Sequence, residues 1–140
     1  MANEDFSMKI KFYGTRGSIP VCSREFQDFG GNTSCLTIAI PDKNILSIID
    51  AGTGIRTLGK ELMASKDGLP KEITLGFSHF HWDHIQGFPF FTPAYNPEVK
   101  INILVMGIGW EMSRLKKIIV RAKAPAWCVL LSSLWLVSII

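Results

Sequence analysis

The segment His79-Phe80-His81-Trp82-Asp83-His84 gathers three imidazoles and a carboxylate into six residues, and no other histidine occurs in the 140-residue chain. Imidazole nitrogen and carboxylate oxygen suit zinc, manganese or iron at catalytic sites, which keep coordination positions open for water. In an extended segment leaving a strand, alternate side chains point the same way. His79, His81 and Asp83 are therefore expected to face one cavity while Phe80 and Trp82 face the core. A turn at Asp83 would bring His84 into the same cavity from another angle. Two metal ions sharing such a segment would hold a bridging hydroxide and stabilise the attacking and leaving oxygens of a hydrolysis.

Such a cluster needs a strand to deliver it, and Glu72 to Ser78 has that character. Upstream, Met8 to Tyr13 alternates Met8, Ile10 and Phe12 with Lys9, Lys11 and Tyr13, the period of a half-buried strand. Gly14, Gly17, Pro20, Gly30 and Gly31 then mark a long loop reaching Asn32, a length that inside a compact domain is usually functional. Thr33 to Ile40 and Ile45 to Ile49 read as an antiparallel pair joined by the turn Pro41-Asp42-Lys43-Asn44. After Asp50-Ala51-Gly52 a helix is expected, with Thr53 as N-cap and Ile55, Leu58, Leu62 and Met63 on one face. Val99 to Met106 reads as a further strand, and Phe88, Phe90 and Phe91 as core.

An apolar share of 47% excludes a disordered chain, and a net charge of +3 argues for neither nucleic acid nor an anionic membrane. The distribution says more than the total. Residues 1–106 carry 10 basic and 11 acidic side chains, whereas residues 107–140 carry 5 and 1 together with Trp110, Trp127 and Trp135. Cys22, Cys35 and Cys128 form no C-x-x-C pair, so they read as buried free thiols of a reducing compartment. Met1 to Ser7 has no apolar run of the secretory kind, so a cytoplasmic protein is expected.

The segments Gly14-Thr15-Arg16-Gly17-Ser18-Ile19-Pro20, Gly31-Asn32-Thr33-Ser34-Cys35, Asp50-Ala51-Gly52-Thr53-Gly54 and Ser78 to Phe91 go together with the H-x-H-x-D-H run. In these the chain resembles the metallo-β-lactamase superfamily, in its ribonuclease Z-like and cyclic-phosphate phosphodiesterase-like branch, over Met8 to Met106. The resemblance implies an α/β (α+β) fold, the N-terminal half of a four-layer αββα sandwich. It also implies two divalent ions, most readily Zn2+ with Mn2+ or Fe2+ as alternatives. His79 and His81 would hold the first; Asp83 and His84 would hold the second, with Asp83 also orienting water. Asp50 resembles the family's buried carboxylate that orients the ligand loop from behind. Arg16, Ser18 and Asn32, with the glycine amides of their loop, would contact an anionic substrate. The implied reaction is attack by metal-bound hydroxide on a small-molecule or nucleotide phosphodiester, RNA included, by a homo-oligomeric enzyme.

No histidine follows His84 and no aspartate follows Asp83, whereas a complete site of this family takes further histidines and a bridging aspartate from downstream. The resemblance fades after Met106. Residues 107–140 are expected to be a truncation or frame-shift product, which would leave the half-sandwich with an uncovered face and an inactive, metal-binding site. A membrane anchor is the competing reading of this tail, because the basic Arg114 to Lys123 precedes the uncharged Ala124 to Ile140. That stretch is shorter than the roughly 20 residues of a spanning helix.

Overall fold

The computed structural model describes residues 7–26, 28–40 and 45–105. The expected turn at Pro41 to Asn44, the thiol of Cys128 and everything expected of residues 107–140 lie outside these. Within the described residues a five-stranded mixed sheet runs in chain order, β1 (Lys9–Gly14), β2 (Cys35–Ile40), β3 (Ile45–Ile49), β4 (Glu72–Phe77) and β5 (Lys100–Val105). β1, β2 and β3 pair antiparallel. β3, β4 and β5 pair parallel, which puts longer connections between them. The helix α1 (Ile55–Met63) joins β3 to β4. A short helix α2 (Trp82–Ile85) and 3-10 turns at Phe88–Phe90 and Thr92–Tyr95 join β4 to β5. The chain is thus of mixed α/β class.

The parallel pairing of β3 with β4 decides where the expected site residues emerge. Ile49 lies opposite Gly76, so the chain leaving β3 at Asp50 and the chain leaving β4 at Ser78 emerge from the same edge. Ligand sites in open α/β sheets collect outside such carboxyl ends.

Register divides the side chains between two faces. Lys11, Thr37, Ile48, Leu75 and Ile103 are aligned across the sheet, and so are Phe12, Leu36, Ile49, Gly76 and Leu104 on the other face. Glu61 of α1 bonds Lys11 and Tyr13, which places the helix over the Lys11 face. That face holds the core: Ile48, Ile73 and Leu75 are fully buried together with Ile55, Leu58 and Phe91. Each such side chain contributes about 1.5–3 kcal/mol by leaving water. Gly59 lets the helix close on Phe91 and Pro93, which a Cβ there would crowd.

The opposite face is open along both outer strands, with Ile10, Phe12 and Leu104 exposed to 52%, 62% and 60%. Met8, Ile10 and Phe12 therefore alternate as a strand should without becoming half-buried, because they point away from the only face that α1 covers. The register slip between Phe12 and Gly14 inserts Tyr13 as an extra residue, a bulge that turns the chain toward the following loop.

Other expectations shift for local reasons. Thr53 does not cap α1, whose first flanking residue is Gly54 without a side-chain cap. Its hydroxyl is taken by the Thr33 amide at 2.9 Å, and its own amide donates to the Thr33 hydroxyl at 2.8 Å. Met63, at the end of α1, is exposed rather than packed, and so is Phe90, whereas Phe91 is fully buried. Cys35 is buried as expected but Cys22 is exposed. Burial, helped by the charge of Asp50, pushes the Cys35 thiol up to about 12, so it is inert as a nucleophile. No described helix is long and apolar enough to cross a membrane.

Candidate metal centre

Asp50 leaves β3 with φ 62°, a left-handed conformation that aspartate tolerates better than most residues. The turn holds because its backbone is bonded on both sides. The Asp50 amide donates to the Gly76 carbonyl at 2.8 Å, the Ala51 amide to His84 at 2.7 Å, and the Gly87 amide to Ala51 at 2.8 Å. Gly52 and Gly87 make this crossing possible: a Cβ on Gly52 would strike the Asp83 carbonyl, and one on Gly87 would strike the Gly52 carbonyl. The turn after β3 is thereby bonded to α2, which carries Asp83 and His84.

The Asp50 carboxylate, 4% exposed, is the hub of the site. It accepts from the Ser78 amide at 2.8 Å, from the Ser78 hydroxyl at 2.9 and 2.8 Å, from the Ser34 hydroxyl at 3.2 Å and from His84 Nδ1 at 2.7 Å. A buried carboxylate needs such a set of donors to stay charged without a large desolvation cost. Because a carboxylate only accepts, the shared proton sits on His84 Nδ1, which leaves Nε2 to bind elsewhere.

Three imidazoles converge in front of this hub. The ring centroid of His79 lies 4.0 Å from that of His84 and 4.5 Å from that of His81. His84 Nε2 lies 3.5 Å from an Asp83 carboxylate oxygen. That oxygen also accepts the backbone amide of Ser18 at 2.9 Å, which ties the Gly-rich loop to the cluster. Burial disfavours the Asp83 anion, but the Ser18 amide, an Asp83 backbone contact and the neighbouring His84 and His81 outweigh it, holding its carboxyl below the ordinary value. Comparison with protein-family models, curated proteins and solved structures finds no match for this chain.

The four residues expected to bind metal are thus brought together, by a route that differs from simple alternation. β4 ends at Phe77 and helical backbone begins at Trp82, so the period of two breaks between His81 and Asp83. Phe80 remains part-buried and packs on Phe77, with centroids 5.9 Å apart, while Trp82 turns outward and is 39% exposed. Among the described residues no set of three or more His, Cys, Asp and Glu side chains is arranged as a ready site for one ion. The types of the donors present fit zinc, manganese and iron.

The substrate-contact candidates are placed less directly. Arg16 donates Nε–H to the Ile19 carbonyl at 2.9 Å and lies 4.3 Å over the Phe26 ring, so it braces its own loop. Asn32 accepts the Thr53 hydroxyl at 3.1 Å. Ser18, with φ 70°, reaches the cluster through its amide. Ser34 and Ser78, which complete the hub, are not among the site residues that the resemblance implies. Ser78 opens the segment to Phe91 that carries the resemblance, between the end of a strand and the first histidine.

Proposed function

We propose that the chain grips divalent metal ions through His79, His81, Asp83 and His84, and that this grip is one half of a phosphodiester-hydrolysing centre of the metallo-β-lactamase fold. The observation that carries the reading is the direct bond from buried Asp50 to His84 Nδ1 at 2.7 Å, beside two further imidazoles and a carboxylate. A buried carboxylate behind a histidine is the arrangement that fixes the tautomer and orientation of a metal-binding imidazole. The open mixed sheet with α1 on one face and an apolar opposite face suits the first half of an αββα sandwich, in which a second sheet would cover Phe12, Ile10 and Leu104.

His79 and His81 would hold one ion, and Asp83 with His84 a second, most readily zinc. A bound divalent cation supplies Lewis acidity and lowers the pKa of water, which together suit phosphoryl-ester hydrolysis. This chain's own part is positional. Asp50 and Ser78 orient the rings, the Ser18 amide holds Asp83, and the loop of Arg16 and Asn32 borders the cluster on the side where an anionic phosphodiester, of a small molecule or an RNA end, would approach.

A second reading is an inactive metal-binding half-site, favoured by the lack, among the described residues, of any set of three or more His, Cys, Asp and Glu side chains arranged for one ion. Metal stoichiometry measured alongside hydrolysis of bis(p-nitrophenyl) phosphate separates the two. Two ions per chain with metal-dependent turnover supports the hydrolase. Binding without turnover supports the inactive half-site, and no uptake in excess zinc overturns both.

A further inference from the structure

We infer that the Ser78 hydroxyl is a positioning group that extends the hold of Asp50 from His84 to His79, so that one buried carboxylate sets the tautomer of two imidazoles. The inference rests on the metal reading for its purpose but on hydrogen-bond geometry for its content. Ser78 Oγ lies 2.9 and 2.8 Å from the two Asp50 carboxylate oxygens and 3.0 Å from His79 Nδ1. A hydroxyl has one proton to give and lone pairs to receive. Asp50 can only accept, so the serine proton goes to Asp50, and the oxygen is left to accept from His79. His79 Nδ1 therefore carries the proton, and its Nε2 lone pair faces away from the hub.

His84 reaches the same state without the relay. Its Nδ1 lies 2.7 Å from Asp50, against 3.4 Å from the Ser78 oxygen. His81 provides an internal reference, because its side chain makes no hydrogen bond among the described residues and touches the cluster through the His79 ring. The amide of Ser78 also donates to Asp50, at 2.8 Å, and this bond survives any change of the side chain. Ser78→Ala thus removes the relay while keeping the backbone link between β3 and β4.

The test is 15N NMR of the histidine rings in the metal-free full chain, at a pH where they are neutral, for the wild type, Ser78→Ala and Ser78→Thr. The expected wild-type result is Nδ1–H for both His79 and His84, with His81 a mixture of tautomers. Ser78→Ala should release His79 to a mixture resembling His81 and leave His84 unchanged, and Ser78→Thr should restore His79. Zinc affinity by chelator competition should fall about 10–100-fold in Ser78→Ala and recover in Ser78→Thr. His79 protonated on Nε2 in the wild type, or unchanged in Ser78→Ala, overturns the relay, and the wild-type spectrum decides even if the alanine variant does not fold. A wild-type chain with the expected tautomers but no zinc uptake would sink the metal reading and leave the relay standing. Zinc uptake with the wrong His79 tautomer would do the reverse.

Discussion

Two regions meet at Asp83, and they are held in opposite ways. On one side, the ends of β3 and β4 are joined by a buried carboxylate to which Ser34, Ser78 and His84 all donate. On the other, the described residues of the loop from Thr15 to Asn32 are largely exposed and reach the cluster through the backbone amide of Ser18. The first arrangement is expensive to disturb because every donor left behind would be unsatisfied inside the protein. The second can vary at its side chains with little consequence for the cluster. The orientation of His84 is therefore built into the sheet edge rather than into the loop.

Removing the hub breaks this contrast most sharply. Asp50→Ala leaves the Ser78 amide, two serine hydroxyls and His84 Nδ1 without their acceptor. It should cost about 3 kcal/mol or more in urea unfolding. Arg16→Ala, which loses one bond to a carbonyl and a stack on Phe26, should cost about 1 kcal/mol in the same assay. Equal costs would mean that the loop is as integral as the sheet edge.

The smallest effect lies away from the site, where exposed Lys11 and half-buried Tyr13 meet exposed Glu61. Hydrogen bonds from Lys11 and then Tyr13 hold the Glu61 carboxyl below its ordinary value of 4.5. A depressed folded value means stability that is present above the unfolded value and lost as pH falls through the folded one. Glu61→Gln should flatten that part of the acid limb below about pH 4.5 by under 1 kcal/mol, since the pair is solvent-screened. A steeper acid limb in the variant would reverse the assignment.

The elements were largely legible because their patterns are local. Ile45 to Ile49 is a strand over its whole predicted length, and α1 begins with the apolar Ile55 and Leu58 on the buried side. The alternation of β1 was legible too, but which face a second layer covers depends on tertiary packing, so Ile10 and Phe12 read as half-buried and stand exposed. At the site, the histidines announce themselves by residue type, and Asp50 by the resemblance of the strand end on which it sits. Ser34 and Ser78 do not, because a serine carries the same signature at a surface turn as beside a buried carboxylate. The helical start at Trp82 was equally hidden, since a period of two and a tight turn place the first two histidines alike.

Zinc content after incubation with excess zinc and gel filtration tests the central claim most directly, comparing the full chain with the double variant His79→Ala, His81→Ala. Retention of at least one ion per chain by the parent, and loss of one ion in the double variant, is the predicted result. No retained zinc in the parent, or the same content in both, would contradict it.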